Sequence, residues 1–217
     1  MKEFKISPSM CGKIMGKRGL GKTGETYIKQ FLTEQIYSRR KEFSNKYTKK
    51  GNLTENGSID FINSQLGFEG VKNEEYFKND FIQGTPDVIL DDVIIDVKNS
   101  WDCFTFPFFS KEVPNDDYYW QAQCYMDLVG KDKYLLIYVL SDTPTFLIEK
   151  ESYYWCRDNG VEDLDGEYFK MHQEKMTYSD IEDSKRIKVF EIDRNQEDID
   201  KIYSRVEECR ELIKTMV

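Results

Sequence analysis

The spacing of apolar residues changes several times along the chain, and each change predicts an element. Ser7 or Ser9 can cap a short helical segment carrying Ile14 and Met15. A glycine-rich basic loop follows, Gly16-Lys17-Arg18-Gly19-Leu20-Gly21-Lys22. Tyr27, Phe31, Ile36 and Phe43 predict a helix over about 25–43. A second helix begins near Asn52, with Glu55, Ile59, Ile62 and Leu66 on one face. Residues 76–82 read as a strand. Asp87 to Leu90 and Val93 to Lys98, joined by Asp91-Asp92, read as a hairpin of two β-branched runs. Alternation puts Val93, Ile95 and Val97 on one face, and Ile94, Asp96 and Lys98 on the other. Asn115 caps a helix over 116–129 that Gly130 closes. Residues 133–140 form a buried strand by composition. Asp142-Thr143-Pro144 opens a helix ending at Gly160. Residues 161–184 are acidic and show no clear period. A strand over 185–192 follows, then a helix from Asn195 onward that turns Ile199, Ile202, Val206, Cys209 and Ile213 inward. Strands that follow one another predict a mixed α/β plan, since a doubly wound parallel sheet would alternate strand and helix more regularly.

Composition narrows the class. At 217 residues, 39% of them apolar and 33% charged, the chain suits one folded domain with a sizeable core. No run has the length of a membrane span, and the opening residues lack the apolar stretch of a signal peptide, so a cytoplasmic protein is expected. The five cysteines stand singly, which disfavours a zinc or iron–sulfur site and a disulfide framework. Net charge is −9, but residues 1–50 carry 13 Lys/Arg against 4 Asp/Glu. That asymmetry reads either as a nucleic-acid-binding face or as a solvated lysine-rich surface.

The candidate chemistry lies in Pro86-Asp87 and in Asp96-Val97-Lys98 across the hairpin. Asp87 opens one strand and Asp96 lies near the end of the next, so one hard cation, Mg²⁺ or Mn²⁺, can bridge both, with the Val97 main-chain carbonyl as a further oxygen. Lys98 projects from the same face as Asp96, where its ammonium can orient a metal-bound water or stabilise developing charge. Taken singly, Asp87 reads as a turn carboxylate and Asp96–Lys98 as an ion pair. Taken jointly, a buried inward pair without a role is too costly. Gln121 shares the inner face of its helix with Tyr125 and Leu128, and its amide can bond a metal water or a phosphate; a buried amide satisfied by backbone is the other reading. Tyr118, Tyr119 and Trp120 read as packing more than as base-stacking groups. His172, the only histidine, reads as surface. Gly16 to Thr23 matches a P-loop in letters, but no apolar strand precedes it.

Pro86-Asp87…Asp96-Val97-Lys98 resembles the PD-(D/E)xK signature of restriction-endonuclease-like nucleases, and the chain is most similar in motif order to the phage lambda exonuclease and YqaJ-type branch. Lys50-Gly51-Asn52-Leu53-Thr54-Glu55 resembles that branch's G-x-x-x-E helix, whose glutamate is a metal ligand. Trp120-Gln121-Ala122-Gln123-Cys124-Tyr125 resembles its Q-x-Q helix. Ser7-Pro8-Ser9 and the basic loop resemble its DNA-phosphate segment. Only Lys2 and Lys5 precede Ser9, where the family carries an arginine for a 5′-phosphate. The resemblance covers residues 7 to about 140. It implies an α/β fold with a restriction-endonuclease-like core, a central mixed sheet flanked by helices. The whole chain would be one nuclease domain, with a basic helical part over 1–50, a catalytic core over 51–140 and a C-terminal part over 141–217. It implies a Mg²⁺- or Mn²⁺-dependent deoxyribonuclease with one or two ions, degrading duplex DNA from an end, 5′ to 3′, in phage-type recombination. Glu55, Asp87, Asp96, Lys98 and Gln121 would be catalytic; Glu55, Asp87, Asp96 and the Val97 carbonyl would hold metal; Ser9, Lys17, Arg18, Lys22, Gln123 and Tyr125 would meet DNA. A single-strand annealing recombinase and a trimeric assembly are the implied partners, with no membrane. An endonuclease or junction resolvase on the same fold, a non-catalytic DNA-binding protein and a P-loop nucleotide binder are the other readings.

Overall fold

The computed structural model describes residues 2–42 and 44–217. A short 3-10 segment, Pro8–Lys13, leads into α1 (Gly21–Tyr37), which Ser38 ends in the left-handed region. The helix thus starts and stops before the expected 25–43, and Phe43 lies outside the described residues. α2 (Lys46–Leu66) starts earlier than Asn52 because Asn45 forms a reciprocal cap: its Oδ1 accepts from the Thr48 N–H at 2.9 Å, and its own N–H donates to Thr48 Oγ1 at 3.0 Å. Leu66, placed on the inner stripe by its spacing, is exposed, since it lies in the last turn beyond the sheet.

The strand expected over 76–82 is instead a tight pair, β1 (Phe77–Lys78) and β2 (Gln83–Gly84), turned by Asn79, whose Oδ1 accepts from the N–H groups of Phe81 and Ile82. The expected hairpin is present as β3 (Val88–Ile89) and β4 (Val93–Asn99), paired Val88 to Ile95 and Ile89 to Ile94. α3 (Asp116–Val129) has its Asn115 cap and Gly130 terminator as expected. β5 (Lys133–Val139), α4 (Thr145–Asn159) and β6 (Ile187–Asp193) also match in place. Between α4 and β6 the structure adds α5 (Glu167–Met176), whose first N–H groups are capped from outside by Asp163, which accepts from Tyr168 and Phe169. α6 (Gln196–Met216) closes the chain.

The main sheet has the order β3-β4-β5-β6, with β4 and β5 parallel and both flanking pairs antiparallel. One face carries Ile94, Tyr134, Leu136, Tyr138 and Phe190 against Ala122, Tyr125 and Met126 of α3. The other carries Ile95, Val97, Ile137 and Val139 against Ile59 and Ile62 of α2. A second layer, built from Phe4, Ile6, Ile14, Ile28, Leu32 and the inner face of α6, packs on the back of α3 at Cys124. α3 is therefore covered on both sides, and residues 121–126 are all buried. No helix among the described residues is long and apolar enough to cross a membrane. All five cysteines are free, four of them buried.

Gly84 sits where this packing is tightest. A Cβ there would stand 2.8 Å from Pro8 Cδ and 3.2 Å from Tyr125 Cε1. Gly84→Ala is expected to lower unfolding stability by about 1–3 kcal/mol, the usual cost of overpacking, read as a drop in thermal midpoint. An unchanged midpoint would show that Pro8 yields freely.

Candidate active site

The meeting of the two aspartates follows from register. Continuing the β3–β4 pairing past Val88 sets Asp87 opposite Asp96 and Pro86 opposite Val97. Directly opposed residues put their side chains on the same face. The Val97 N–H, facing the β3 side, is taken by Asp87 Oδ2 at 2.9 Å. Pro86 has no N–H, so the Val97 carbonyl, which points the same way as its N–H, lacks the donor a strand would supply. The Pro86 carbonyl accepts from Asn73 Nδ2 at 3.0 Å. The proline and aspartate together thus convert a strand edge into a cluster of free oxygens.

Asp96 is the buried centre of the site, 1% exposed. Its Oδ1 accepts from Gln121 Nε2 at 2.7 Å, and its Oδ2 lies 2.5 Å from Lys98 Nζ. That second contact is an ion pair without hydrogen-bond directionality. The Tyr118 ring lies over the Lys98 ammonium at 5.3 Å. Burial pulls the Lys98 pKa down, but Asp96 and Asp87 more than offset it and hold it above the usual lysine range. Burial first, and then the charge of Asp96, push Asp87 up to about 7. Beneath Asp96 sits Tyr134, fully buried, its hydroxyl beside the carboxylate but without a directional partner.

Glu55 arrives differently. It stands on α2, which covers the opposite face of the sheet, and reaches the site only around the edge left open by the short β3. Its charge is close enough to raise the Asp87 pKa. Its carboxylate is nevertheless turned to Lys72, 2.7 Å away. Asn99, at the end of β4, ties α2 to the sheet by accepting from Ser58 Oγ at 2.6 Å and Ser141 Oγ at 2.9 Å.

The donor set can be tested for a metal on these contacts. Among the described residues, no three His, Cys, Asp or Glu side chains stand together around one point. Asp87, Asp96 and the Val97 carbonyl are hard oxygens of the kind Mg²⁺ takes with several waters, and the repulsion that raises the Asp87 pKa is what a dication would relieve. These residues fit one ion; Glu55 does not complete the set while Lys72 holds it.

The remaining expectations divide. Ser9, Lys17, Arg18 and Lys22 are exposed, and the last three line a cleft of about 390 Å³ at the start of α1. Gln123 is corrected: it is fully buried, its Nε2 donating to the Asp193 carbonyl at 2.8 Å and its Oε1 accepting from the Asn195 N–H at 2.8 Å, so its amide joins α3 to the start of α6 and has no free edge for DNA. Tyr125 is likewise buried, its hydroxyl donating to the Thr85 carbonyl at 2.9 Å, where it holds the Pro86-Asp87 turn instead of meeting solvent. Gly16–Thr23 follows a 3-10 segment and not a strand, which removes the P-loop reading. Tyr119 and Trp120 pack, the former donating to Asp198 Oδ2 at 2.6 Å. His172 is half-buried on α5 rather than fully exposed. Sequence reasoning missed Lys72, which no periodic pattern marks. It missed Tyr134 too, although its place on the Ile94 face was readable once β4 and β5 were known to be parallel.

The raised Asp87 pKa carries a stability prediction. Folding raises it from 3.8 to about 7, so the cost of ionising Asp87 grows as pH climbs through that window and is fully present above it. In metal-free protein, Asp87→Asn is expected to raise the thermal midpoint at pH 8 and to change it little at pH 4. A midpoint at pH 8 equal to or below the parent's would refute the crowding of Asp87 and Asp96.

No family model matches this chain, and no curated protein sequence does. Solved structures do. A phage-related exonuclease from Haemophilus somnus 129PT is similar over 99% of this chain and 96% of its own, at 26% identity and a TM-score of 0.79. The alkaline exonuclease LHK-Exo from Laribacter hongkongensis shares the fold over 98% of this chain and 89% of its own, at 12% identity and a TM-score of 0.70. The same enzyme in complex with dAMP gives a TM-score of 0.68 at 14% identity. In its mixed sheet flanked by helices, and over nearly the whole length of both chains, this chain is similar to a phage-related exonuclease, and it shares its fold with an alkaline exonuclease.

Proposed function

We propose that this chain is a DNA exonuclease that hydrolyses phosphodiester bonds from the end of a duplex, 5′ to 3′, with bound Mg²⁺ or Mn²⁺, in phage-type recombination. The observation that carries the reading is the convergence of Asp87, Asp96, Lys98 and Gln121 on one buried point at the sheet edge. A dication held by Asp87, Asp96 and the Val97 carbonyl would supply Lewis-acid stabilisation of the phosphate and a more acidic water.

The chain's own groups do the rest. Lys98 keeps its proton because two carboxylates face it, so it presents a fixed positive charge at the reacting phosphate. Tyr118 holds that ammonium from above. Gln121 spends its amide on Asp96, which makes it a positioning residue for the carboxylate. Lys72 meets Glu55 at the mouth of the site and adds a second cation there. Ser9, Lys17, Arg18 and Lys22 are exposed for the phosphates of the duplex, and the basic surplus of residues 1–50 favours that approach. The chain would act as one nuclease domain; a single-strand annealing recombinase and a homotrimer belong to this reading through the resemblance alone.

Digestion of end-labelled linear duplex, with and without a 5′-phosphate, beside a covalently closed circle tests it. With Mg²⁺ the linear duplex is expected to shorten from its 5′ ends while the circle stays intact. Asp96→Ala and Lys98→Ala are each expected to lose roughly a hundredfold or more in rate with unchanged circular dichroism. Cleavage of the circle would shift the reading to an endonuclease, and full activity in the Lys98 variant would remove its assigned role.

A further inference from the structure

The segment between α2 and β1 carries Lys72 to the mouth of the site, and it is fastened on both sides. On one side stands Asn63 of α2. Its Nδ2 donates to the Gly70 carbonyl at 2.7 Å, and its Oδ1 accepts from the Gly70 N–H at 3.1 Å. On the other side Lys72 forms an antiparallel bridge with Val88. The Asn73 N–H donates to the Asp87 carbonyl at 2.7 Å, and Asn73 Nδ2 donates to the Pro86 carbonyl at 3.0 Å. The backbone at Lys72 is thereby tied both to the helix that carries Glu55 and to the turn that carries Asp87. Residues opposed across an antiparallel bridge share a face. Lys72 therefore follows Val88 to the side of the sheet that α2 covers, where Glu55 stands.

The ammonium ends between carboxylates. Lys72 Nζ lies 2.7 Å from Glu55 Oε2, and the hydrogen bond between them holds Lys72 above the usual lysine range, with the charge of Asp87 adding to it. Glu55 in turn adds to the repulsion that raises Asp87. A pair of long side chains that meet in water is worth little. Here the lysine's backbone is held at both ends, and the Glu55 side chain is only 19% exposed. The pair also stands beside the hard oxygens of Asp87, Asp96 and the Val97 carbonyl. Among the described residues no three acidic side chains close around one point, and Glu55 is the one turned aside.

Resting on the nuclease reading, we propose that Lys72 is a positioning residue for Glu55, holding its carboxylate in the metal-free protein and yielding it when Glu55 joins the donor set for a divalent cation. A contact made only in the metal-free form is lost on binding, so its free energy is subtracted from the metal affinity. Lys72 in this way sets how much divalent cation the site needs. Without the cation the same contact offsets the mutual repulsion of Glu55 and Asp87. Lys98 plays no part in this exchange, because its partner is Asp96.

The test is Mn²⁺ binding to the metal-free full chain in the absence of DNA, read by electron paramagnetic resonance of the free ion. Lys72→Met is expected to bind Mn²⁺ about fivefold more tightly than the parent. Lys72→Gln, a second neutral variant, should match it, and Lys72→Arg should bind like the parent. In a Glu55→Gln background Lys72→Met should bring no such gain, since the carboxylate it competes for is gone. The Lys72 side chain is 43% exposed, so its replacement should leave the circular dichroism unchanged. Equal or weaker Mn²⁺ binding by both neutral variants would overturn the role of Lys72 alone. So would tighter binding by Lys72→Arg, or an equal gain in the Glu55→Gln background, which would make Lys72 a general charge and not a competitor for Glu55. No Mn²⁺ binding by any form would overturn the metal-dependent nuclease reading together with it.

Discussion

The site depends on a strand that stops early. β3 pairs with β4 over two residues only, and at the next hydrogen-bonding position Pro86 faces Val97. A proline there can neither donate to the Val97 carbonyl nor continue the ladder. The freed Val97 N–H goes to Asp87, whose carboxylate is thereby pinned beside Asp96. One backbone substitution of a side-chain oxygen for a strand carbonyl thus accounts for three features: the paired aspartates, the free carbonyl and the open edge. Tyr125 and Asn73 secure the turn from either side through the Thr85 and Pro86 carbonyls. The proline and aspartate of the signature are in this sense a device for ending a strand with its oxygens exposed.

Such an edge concentrates negative charge in a dry place, and the surrounding groups show how the fold tolerates it. Asp96 keeps an amide on one oxygen and an ammonium beside the other, the arrangement under which a buried carboxylate can persist. Asp87 has only a backbone N–H and carries the strain as a raised pKa. Glu55 is drawn aside by Lys72. The two lysines differ in setting: Lys98 is paired to the buried Asp96, and Lys72 is paired to Glu55 with its side chain 43% exposed.

The period of the sequence made the fold readable where an element has one exposed and one buried side. The β3–β4 hairpin, α3 with both its caps and α6 all follow from alternation or helical spacing. It failed where capping or long-range contact decides. Asn45 starts α2 at Lys46, well ahead of its apolar stripe, and Asp163 caps α5 from outside the helix, so neither boundary is marked by hydrophobicity. The site residues on the hairpin were legible for the same reason the hairpin was. Gln123 was misread because α3 is buried on both faces: a glutamine inside such a helix can serve either side, and this one serves α6 while its neighbour Gln121 serves Asp96. Lys72 and Tyr134 belong to the site through register and loop path, which a single sequence does not display.

Charge then orders the surface around this edge. Residues 1–50 hold a surplus of nine positive charges within a chain whose total is −9, so the remainder is strongly acidic. Under the proposed function this asymmetry would draw a duplex toward the N-terminal layer by long-range attraction and resist its approach from the acidic remainder. The N-terminal layer packs directly on the back of α3, the helix that supplies Gln121, and the 3-10 segment Pro8–Lys13 lies against its first turn at Gly12 and Asp117. A phosphate backbone bound on that layer, as proposed, would be held with respect to α3, whose Gln121 fixes Asp96. In the proposed function attraction and chemistry would share one helix, which is how a protein of negative net charge would set a scissile phosphate against a buried carboxylate.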